Sequence, residues 1–213
     1  GLGGWAASTV AGCHTRRYHG LLVAATRPPI GRMVLVSKLA ESLRVAGRTF
    51  ELDTNRYSGT VHPHGHELLT SFTLDPMPAS VYEAGGVTLR KTVAAIHGEN
   101  TTVVLYEVLD APAAVTLELR PLVAFRDYHE LQRANEAIRF ANATFKDGVF
   151  RATPYDGAPE LFIQAAGTTF SARGPFGPWP TVNVTFSPSR MESNGVLVHA
   201  DWWKKYSVPS GAA

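Results

Sequence analysis

Two short clusters of arginine, tyrosine and histidine stand directly beside apolar runs of the chain. The first cluster precedes the run from Leu21 to Ala25, and the second follows the run from Leu122 to Phe125. The clusters consist of Arg16, Arg17, Tyr18 and His19, and of Arg126, Asp127, Tyr128 and His129. A guanidinium offers a planar fork of donors, while tyrosine and histidine carry polar tips on apolar bodies. Such side chains suit a ligand-binding site when a rigid element holds them.

The apolar runs indicate the elements that position both clusters. The run Leu21 to Ala25 lies between Gly20 and Arg27-Pro28-Pro29, which is typical of a buried strand. The second run also has the composition of a strand. We therefore expect each cluster at a strand end, and the two would make one site if those ends converge in space.

A structural interpretation of the same residues stays open beside this one. Tyr18 could pack into the core while Arg16 and Arg17 pair with surface carboxylates. Asp127 could pair with Arg16, Arg17 or Arg126 across the sheet and simply close its end. Clustered polar groups mark functional sites only as a tendency, so the sequence does not decide between the two interpretations.

Aromatic side chains could add ring faces to such a site. The chain has four tryptophans, namely Trp5, Trp179, Trp202 and Trp203. Trp179 belongs to the proline-rich stretch 173–180, which we predict to be an extended surface loop. Tryptophans in a domain of this size serve equally well in a core or an interface, and contact with a further domain is the role we expect for Trp202 and Trp203.

Three histidines at alternate positions raise the question of a metal site. On a regular strand His62, His64 and His66 would share one face and could bind a metal together. Pro63 and Gly65 are poor residues for a strand interior. We therefore predict a solvated or domain-facing loop with no metal.

The sequence contains no pattern that marks a catalytic centre. Glycoside hydrolysis usually needs two carboxyl groups that face each other across the scissile bond. Asp127, Glu130 and Glu67 are the carboxylates near the polar clusters, and none belongs to a recognisable pair. The opening Gly1-Leu2-Gly3-Gly4-Trp5-Ala6 formally fits a dinucleotide pattern but has no strand before it. We predict no catalytic residues and no cofactor in this chain.

Composition limits the partners and the compartment. The 20 basic and 18 acidic residues give a net charge of +2 with no long basic run, which argues against nucleic acid. The single cysteine, Cys13, cannot form an internal disulfide, which indicates a reducing, cytoplasmic setting. The apolar runs are far shorter than the roughly 20 residues that span a bilayer, so we expect no membrane partner.

Turn signals predict an all-β fold. Ala46-Gly47, Gly85-Gly86 and Asp147-Gly148 each separate two strand-like segments, and such pairs favour tight antiparallel hairpins. Val115, Leu117 and Leu119 alternate with polar residues, which is the pattern of a half-buried strand. The best candidate for a helix is the segment 128–137, which contains good helix formers, and we expect a loop with at most a turn or two of helix there. The fold expected is a large antiparallel β-sandwich in a single domain.

Three blocks in register identify a family resemblance. GLGGWAASTVAGCHTRRYHGLLVAA with PPIGRMVLVSKL, then NRYSGTVHPHGHELLTSF, then LRPLVAFRDYHEL resemble the N-terminal domain of the bacterial and archaeal type of glycogen debranching enzyme. The resemblance implies a supersandwich of the galactose-mutarotase type in front of a helical barrel. That barrel would carry the amylo-α-1,6-glucosidase chemistry and the catalytic acids.

On this basis we expect a non-catalytic accessory domain over residues 1–206, followed by a linker, 207–213. Its partners would be its own C-terminal catalytic domain and a branched α-glucan such as glycogen. The two clusters would form the shared face, because guanidinium forks suit sugar hydroxyls and aromatic faces suit the pyranose ring.

Two alternatives remain. A mutarotase-like enzyme would use His19, His129 and Glu130 as acid and base. A purely structural clamp would contact only protein.

Overall fold

The structure is a computed structural model that describes residues 2–133, 137, 143–146, 149–165, 168–171, 181–186 and 193–200. For Phe145 and for the strands after residue 167, only the backbone is described. The segments 173–180 and 201–213, which contain Trp179, Trp202 and Trp203, lie outside the described residues.

The described chain is an all-β sandwich of two large antiparallel sheets. The first sheet has the strand order β1-β2-β3-β11-β16-β15, with β4 paired to β3. Its strands are β1 (Trp5–Ala7), β2 (Gly20–Arg27), β3 (Gly31–Val45), β4 (Arg48–Glu51), β11 (Val115–Asp127), β15 (Thr168–Ser171) and β16 (Thr181–Phe186). The 15-residue β3 pairs with β11 along one edge, and with β2 and then β4 along the other.

The second sheet has the order β12-β13-β14-β17-β10-β9-β8-β7. Its strands are β7 (Leu69–Thr73), β8 (Ala79–Ala84), β9 (Val87–Ala95), β10 (Thr101–Asp110), β12 (Ala143–Lys146), β13 (Val149–Ala152), β14 (Leu161–Ala165) and β17 (Ser193–Ala200). A small separate sheet pairs β5 (Thr54–Tyr57) with β6 (Thr60–His64), and the 3₁₀ turn Gly65–Leu68 follows it.

The hairpins expected from the turn signals are present. β3 and β4 pair around Ala46-Gly47, and β8 and β9 pair around Gly85-Gly86. All four turn residues have positive φ, between +47° and +80°, which is the backbone conformation that these tight turns need. β12 and β13 also pair, although their turn at residues 147–148 lies outside the described residues.

The core fills the space between the two large sheets. Leu35, Leu43 and Leu117 of the first sheet belong to one buried cluster with Leu89 and Tyr106 of the second. Along β11, buried residues alternate with partly exposed ones from Val115 to Pro121, as the period-two pattern predicts. Between Asp110 and Val115 the chain leaves the second sheet and enters the first, so β10 and β11 do not form a hairpin with each other.

The segment expected to be a loop with a turn or two of helix contains no helix among its described residues. Tyr128 to Glu130 form a turn directly after β11, and residues 131–133 are irregular.

The histidine segment differs from the predicted loop. His62, Pro63 and His64 belong to β6, and Gly65 begins the 3₁₀ turn. Among the described strands, β6 pairs only with the short strand β5, and their register shifts between Thr54 and Arg56, so Pro63 takes part in no regular ladder pair. A proline is tolerated in such a position because no ladder hydrogen bond is lost there.

Replacing Gly65 with alanine should destabilise the fold by about 1–3 kcal/mol, because the new methyl group would overpack the backbone. An added Cβ would lie 2.1 Å from the carbonyl carbon and oxygen of Leu52 and 2.6 Å from the carbonyl oxygen of Asp53. The Gly65 N–H also donates to that Asp53 oxygen at 2.9 Å, so the segment cannot shift without losing this bond. Urea unfolding measures the change, and a loss below about 0.5 kcal/mol would contradict the prediction.

Candidate functional site

The structure brings the two polar clusters together. The Arg17 Nη1 donates to the carbonyl oxygen of His129 at 2.6 Å, although 112 positions separate them. In return, Arg126 Nη2 donates to the carbonyl oxygen of Arg17 at 2.6 Å. The Tyr18 hydroxyl lies 3.2 Å from His129 Nδ1. Reciprocal bonds of this kind fix the two segments relative to each other.

Strand pairing explains the convergence. Trp5, Val23, Val34 and Arg126 are successive partners in one row across β1, β2, β3 and β11. Val23 and Val34 are fully buried but do not belong to the core between the sheets. Because directly opposed residues share a face, this row lies on the outer face of the first sheet, with Trp5 and Arg126 at its ends.

Aromatic rings cover this part of the sheet. The Tyr128 ring centroid lies 5.7 Å from Trp5, 5.8 Å from Tyr18 and 3.8 Å from His129. The indole Nε1 of Trp5 donates to the carbonyl oxygen of Tyr18 at 3.1 Å. Tyr18 is 42 % exposed, so its ring is open to solvent and does not pack into the core.

A third guanidinium lies beside these rings, and it comes from an arginine outside the two sequence clusters. The Arg32 guanidinium lies 5.7 Å from the Trp5 ring and 6.0 Å from the Tyr128 ring, within cation–π range. Its Nε donates to the carbonyl oxygen of Gly3 at 2.6 Å. Arg32 was not predicted, because an arginine near the start of a strand carries no local signal. We call the group Trp5, Arg17, Tyr18, Arg32, Arg126, Tyr128 and His129 the arginine–aromatic surface.

Three of the predicted site residues stand apart from this surface. The exposed Arg16 makes no side-chain hydrogen bond or ion pair within the described residues. His19 Nδ1 accepts from the Thr15 N–H at 3.2 Å, and its ring lies 5.4 Å from His14. Asp127 Oδ1 accepts from the His129 N–H at 2.8 Å, and no described arginine lies within ion-pair distance of it. The expected bidentate pair is therefore absent there, because Asp127 caps the turn that positions His129.

The arginine–aromatic surface is positively charged, and the groups that accept hydrogen bonds from its arginines are neutral. Arg17 and Arg126 donate to backbone carbonyl oxygens rather than to carboxylates. Burial and the neighbouring charge of Arg17 lower the pKa of Arg126, against an opposing effect of Asp127. An arginine still keeps its charge under these conditions. The planar guanidinium faces and the rings are thus fixed without a counterion.

A second polar group, which was not predicted from the sequence, lies inside the sandwich. Lys38 Nζ lies 2.6 Å from Asp53 Oδ1, and Lys91 Nζ lies 2.6 Å from Glu41 Oε1. Burial alone would lower the pKa of Lys91, but Glu41 and Tyr82 raise it, and the net shift is upward. The sequence feature that could have revealed this group is the presence of the charged residues Lys38 and Glu41 within the largely apolar sequence of β3.

The side chains that a mutarotase-like enzyme would use do not meet at a common centre. The His129 ring contacts Tyr18 and Tyr128, whereas the His19 ring contacts His14. Within the described residues no hydrogen bond joins His19, His129 and Glu130.

The histidine segment offers ligand atoms near one another. Atoms of His64, His66 and Glu67 all lie within 4.8 Å of each other, and all three side chains are exposed. His64 Nδ1 lies 3.3 Å from Glu67 Oε1. The expectation that the segment holds no metal stays a prediction.

None of the described helical segments has the length and apolar character needed to cross a membrane.

Fold and surface together define an all-β sandwich that presents aromatic rings and guanidinium groups on one outer sheet face. Residues 1–191 match the family described as glycogen debranching enzyme N terminal. The chain belongs to this family, as its three sequence blocks indicated.

Other comparisons add little. No curated protein matches the chain. Among solved structures, a polysaccharide lyase aligns with a TM-score of 0.41 and 13 % sequence identity, covering 84 % of this chain. This chain spans only 28 % of the length of that lyase chain.

Proposed function

We propose that this domain is a non-catalytic module that helps its glycogen debranching enzyme to hold a branched α-glucan. The arginine–aromatic surface is the binding face, shared with a helical catalytic domain that follows residues 207–213. The main support is the convergence of two distant sequence clusters into one partly exposed surface, joined by the reciprocal Arg17 and Arg126 bonds.

The chemistry of this surface suits a glucan. A pyranose ring has an apolar face that stacks on an aromatic ring, and Tyr18 is exposed enough to offer one. Guanidinium donors of Arg17, Arg32 and Arg126 surround the rings and could meet ring hydroxyl groups. The surface carries net positive charge but no fixed carboxylate pair, so binding rather than hydrolysis is the function it supports.

A purely structural clamp is the second candidate, and one observation favours it. Arg17 and Arg126 already donate to backbone carbonyl oxygens, so their main effect is to rigidify the surface. A rigid surface of this kind would also suit contact with another protein domain. The two candidates differ in whether sugar contacts Tyr18.

Replacing Tyr18 with alanine should weaken glycogen binding about tenfold, the equivalent of about 1.4 kcal/mol, because one stacking ring is lost. Native gels cast with increasing glycogen measure this, with the chain alone and with the chain joined to its catalytic domain. Tyr57→Ala is the matched control, because Tyr57 is 57 % exposed and lies away from the surface on β5.

The clamp makes the opposite prediction. If it is correct, glycogen retards neither protein through this domain, and Tyr18→Ala lowers the thermal midpoint of the two-domain protein only. Equal glycogen affinity for Tyr18→Ala and Tyr57→Ala would therefore contradict glucan binding at this surface.

We also infer a reducing, cytoplasmic setting. The support is the single free cysteine, Cys13.

A further inference from the structure

A cavity of about 430 Å³ opens within the first half of the chain. The segment 6–12 lies on one side of it, and β3, β8 and β9 supply much of its remaining lining. Its volume falls within the ~300–1,000 Å³ that is usual for small-molecule sites. None of the residues on the arginine–aromatic surface lines it.

The cavity wall includes charged side chains that are almost completely buried. Glu41 is 3 % exposed, Asp53 8 % and Lys38 9 %. Lys91, whose side chain is 21 % exposed, contacts this group through its 2.6 Å ion pair with Glu41. Charged groups are rarely kept in such positions unless they are paired, and each of these four has an opposite charge within contact distance.

Two groups in this polar wall, the Glu41 carboxylate and the Lys91 ammonium, can form further hydrogen bonds. Glu41 Oε1 accepts both from Lys91 Nζ and from the Tyr106 hydroxyl. Glu41 Oε2 accepts no hydrogen bond within the described residues, although the side chain is 97 % buried. Lys91 uses one of its three N–H donors on Glu41. By contrast, Lys38 Nζ already contacts Asp53, Thr54 and Gly12, so it is saturated.

The rest of the lining determines which ligand fits. Two cations and two anions balance, and burial keeps His14 neutral near pH 7 because it lowers the pKa of this histidine to about 4. A charged ligand would upset that balance. Apolar side chains complete the wall, among them Leu39, Leu52, Phe72 and Val93. The lining thus combines the free acceptor Glu41 Oε2 and the free donors of Lys91 with apolar surface.

We propose that this cavity binds one small neutral polyol of pyranose size. Glu41 Oε2 accepts a hydrogen bond from one hydroxyl group, Lys91 donates to another, and the apolar side chains cover the ring. This site is independent of the proposed glucan-binding surface, because the two share no residue.

Isothermal titration of the whole 213-residue chain with D-glucose tests this proposal. We expect saturable binding with a Kd of about 1 mM, and at least about tenfold weaker binding of glucose 1-phosphate, since its negative charge would upset the balance of two cations and two anions in the wall. myo-Inositol serves as a second neutral ring of similar size. Comparison of the two rings distinguishes a general polyol site from one restricted to pyranoses.

Two variants link the binding to the cavity. Ala11→Leu adds bulk to the lining without touching a charge, and we expect it to weaken glucose binding at least about tenfold. Ala114→Leu is the matched control, because Ala114 is exposed and does not line the cavity. Glu41→Gln keeps the side-chain shape and should also weaken binding. Should this variant fail to fold, Ala11→Leu still decides the question.

Absence of saturable heat with both glucose and myo-inositol at about 50 mM, far above the expected Kd, would overturn the proposal. Equal binding by Ala11→Leu and Ala114→Leu would overturn it too. The surface variant Tyr18→Ala should leave glucose binding unchanged, and Ala11→Leu should leave glycogen retardation unchanged. The two proposals can therefore fail separately.

Discussion

Replacing Glu41 with leucine should destabilise the domain by about 3–5 kcal/mol, the usual cost of removing one partner from a buried ion pair. Glu41 is 3 % exposed and contacts the Lys91 ammonium at 2.6 Å. It also accepts from the hydroxyl of Tyr106, which is fully buried. The substitution would leave the Tyr106 hydroxyl in the interior with no acceptor, and it would remove the counterion of the largely buried Lys91 ammonium.

The double variant Glu41→Leu/Lys91→Met separates the lost pair from lost packing. Because it removes both charges and keeps similar volumes, it should recover much of the stability that Glu41→Leu loses. Urea unfolding of the wild type, both single variants and the double variant gives the coupling free energy. Strict additivity of the two single effects, or a loss below about 1 kcal/mol for Glu41→Leu, would contradict this account.

The sequence predicted local hairpins well because their causes are local. Ala46-Gly47 and Gly85-Gly86 adopt the positive φ angles that favour tight turns, and neighbouring strands then pair. The division of strands between two sheets depends on distant contacts. Asp110-Ala111-Pro112 looks like another turn in the sequence, yet there the chain passes from the second sheet to the first.

The candidate surface was predictable in composition but not in arrangement. Strand ends next to polar clusters are visible in the sequence, and the convergence depends on β2 and β11 both pairing with β3. An irregularity in β11 adds to this, since Phe125 has a φ of +47° where the register shifts before Arg126. Such a bulge redirects the following side chains, and no local sequence pattern predicts it here.

The partners of charged side chains were also difficult to predict from the sequence. Asp127 was expected to pair with Arg16, Arg17 or Arg126 across the sheet, but its carboxylate accepts from the backbone N–H of His129, two residues away. The buried pairs of Lys38 with Asp53 and of Glu41 with Lys91 join different strands or loops. Pairing between such positions becomes visible only when the fold is known.

Lowering the pH from 7 to 4 should destabilise the domain, with His14 contributing up to about 3 kcal/mol of the loss. Burial lowers the pKa of His14 from 6.5 to about 4, and the groups that act on it are Lys38, His19, Asp53 and Lys91. Above pH 6.5 the imidazole is neutral in both states. Between pH 6.5 and 4, His14 binds a proton in the unfolded chain but not in the folded chain, so unfolding becomes more favourable as the pH falls.

The variant His14→Gln isolates this contribution, because glutamine cannot titrate. Its free energy of unfolding, measured in urea at intervals between pH 7 and 4, should fall less steeply than that of the wild type. His97→Gln, which removes an exposed histidine, is the matched control and should keep the wild-type slope. His14 also lies 3.2 Å from the Ser37 hydroxyl, so the two variants will differ in stability at pH 7. The difference in slope is the test, and parallel curves for His14→Gln and the wild type would show that His14 titrates alike in both states.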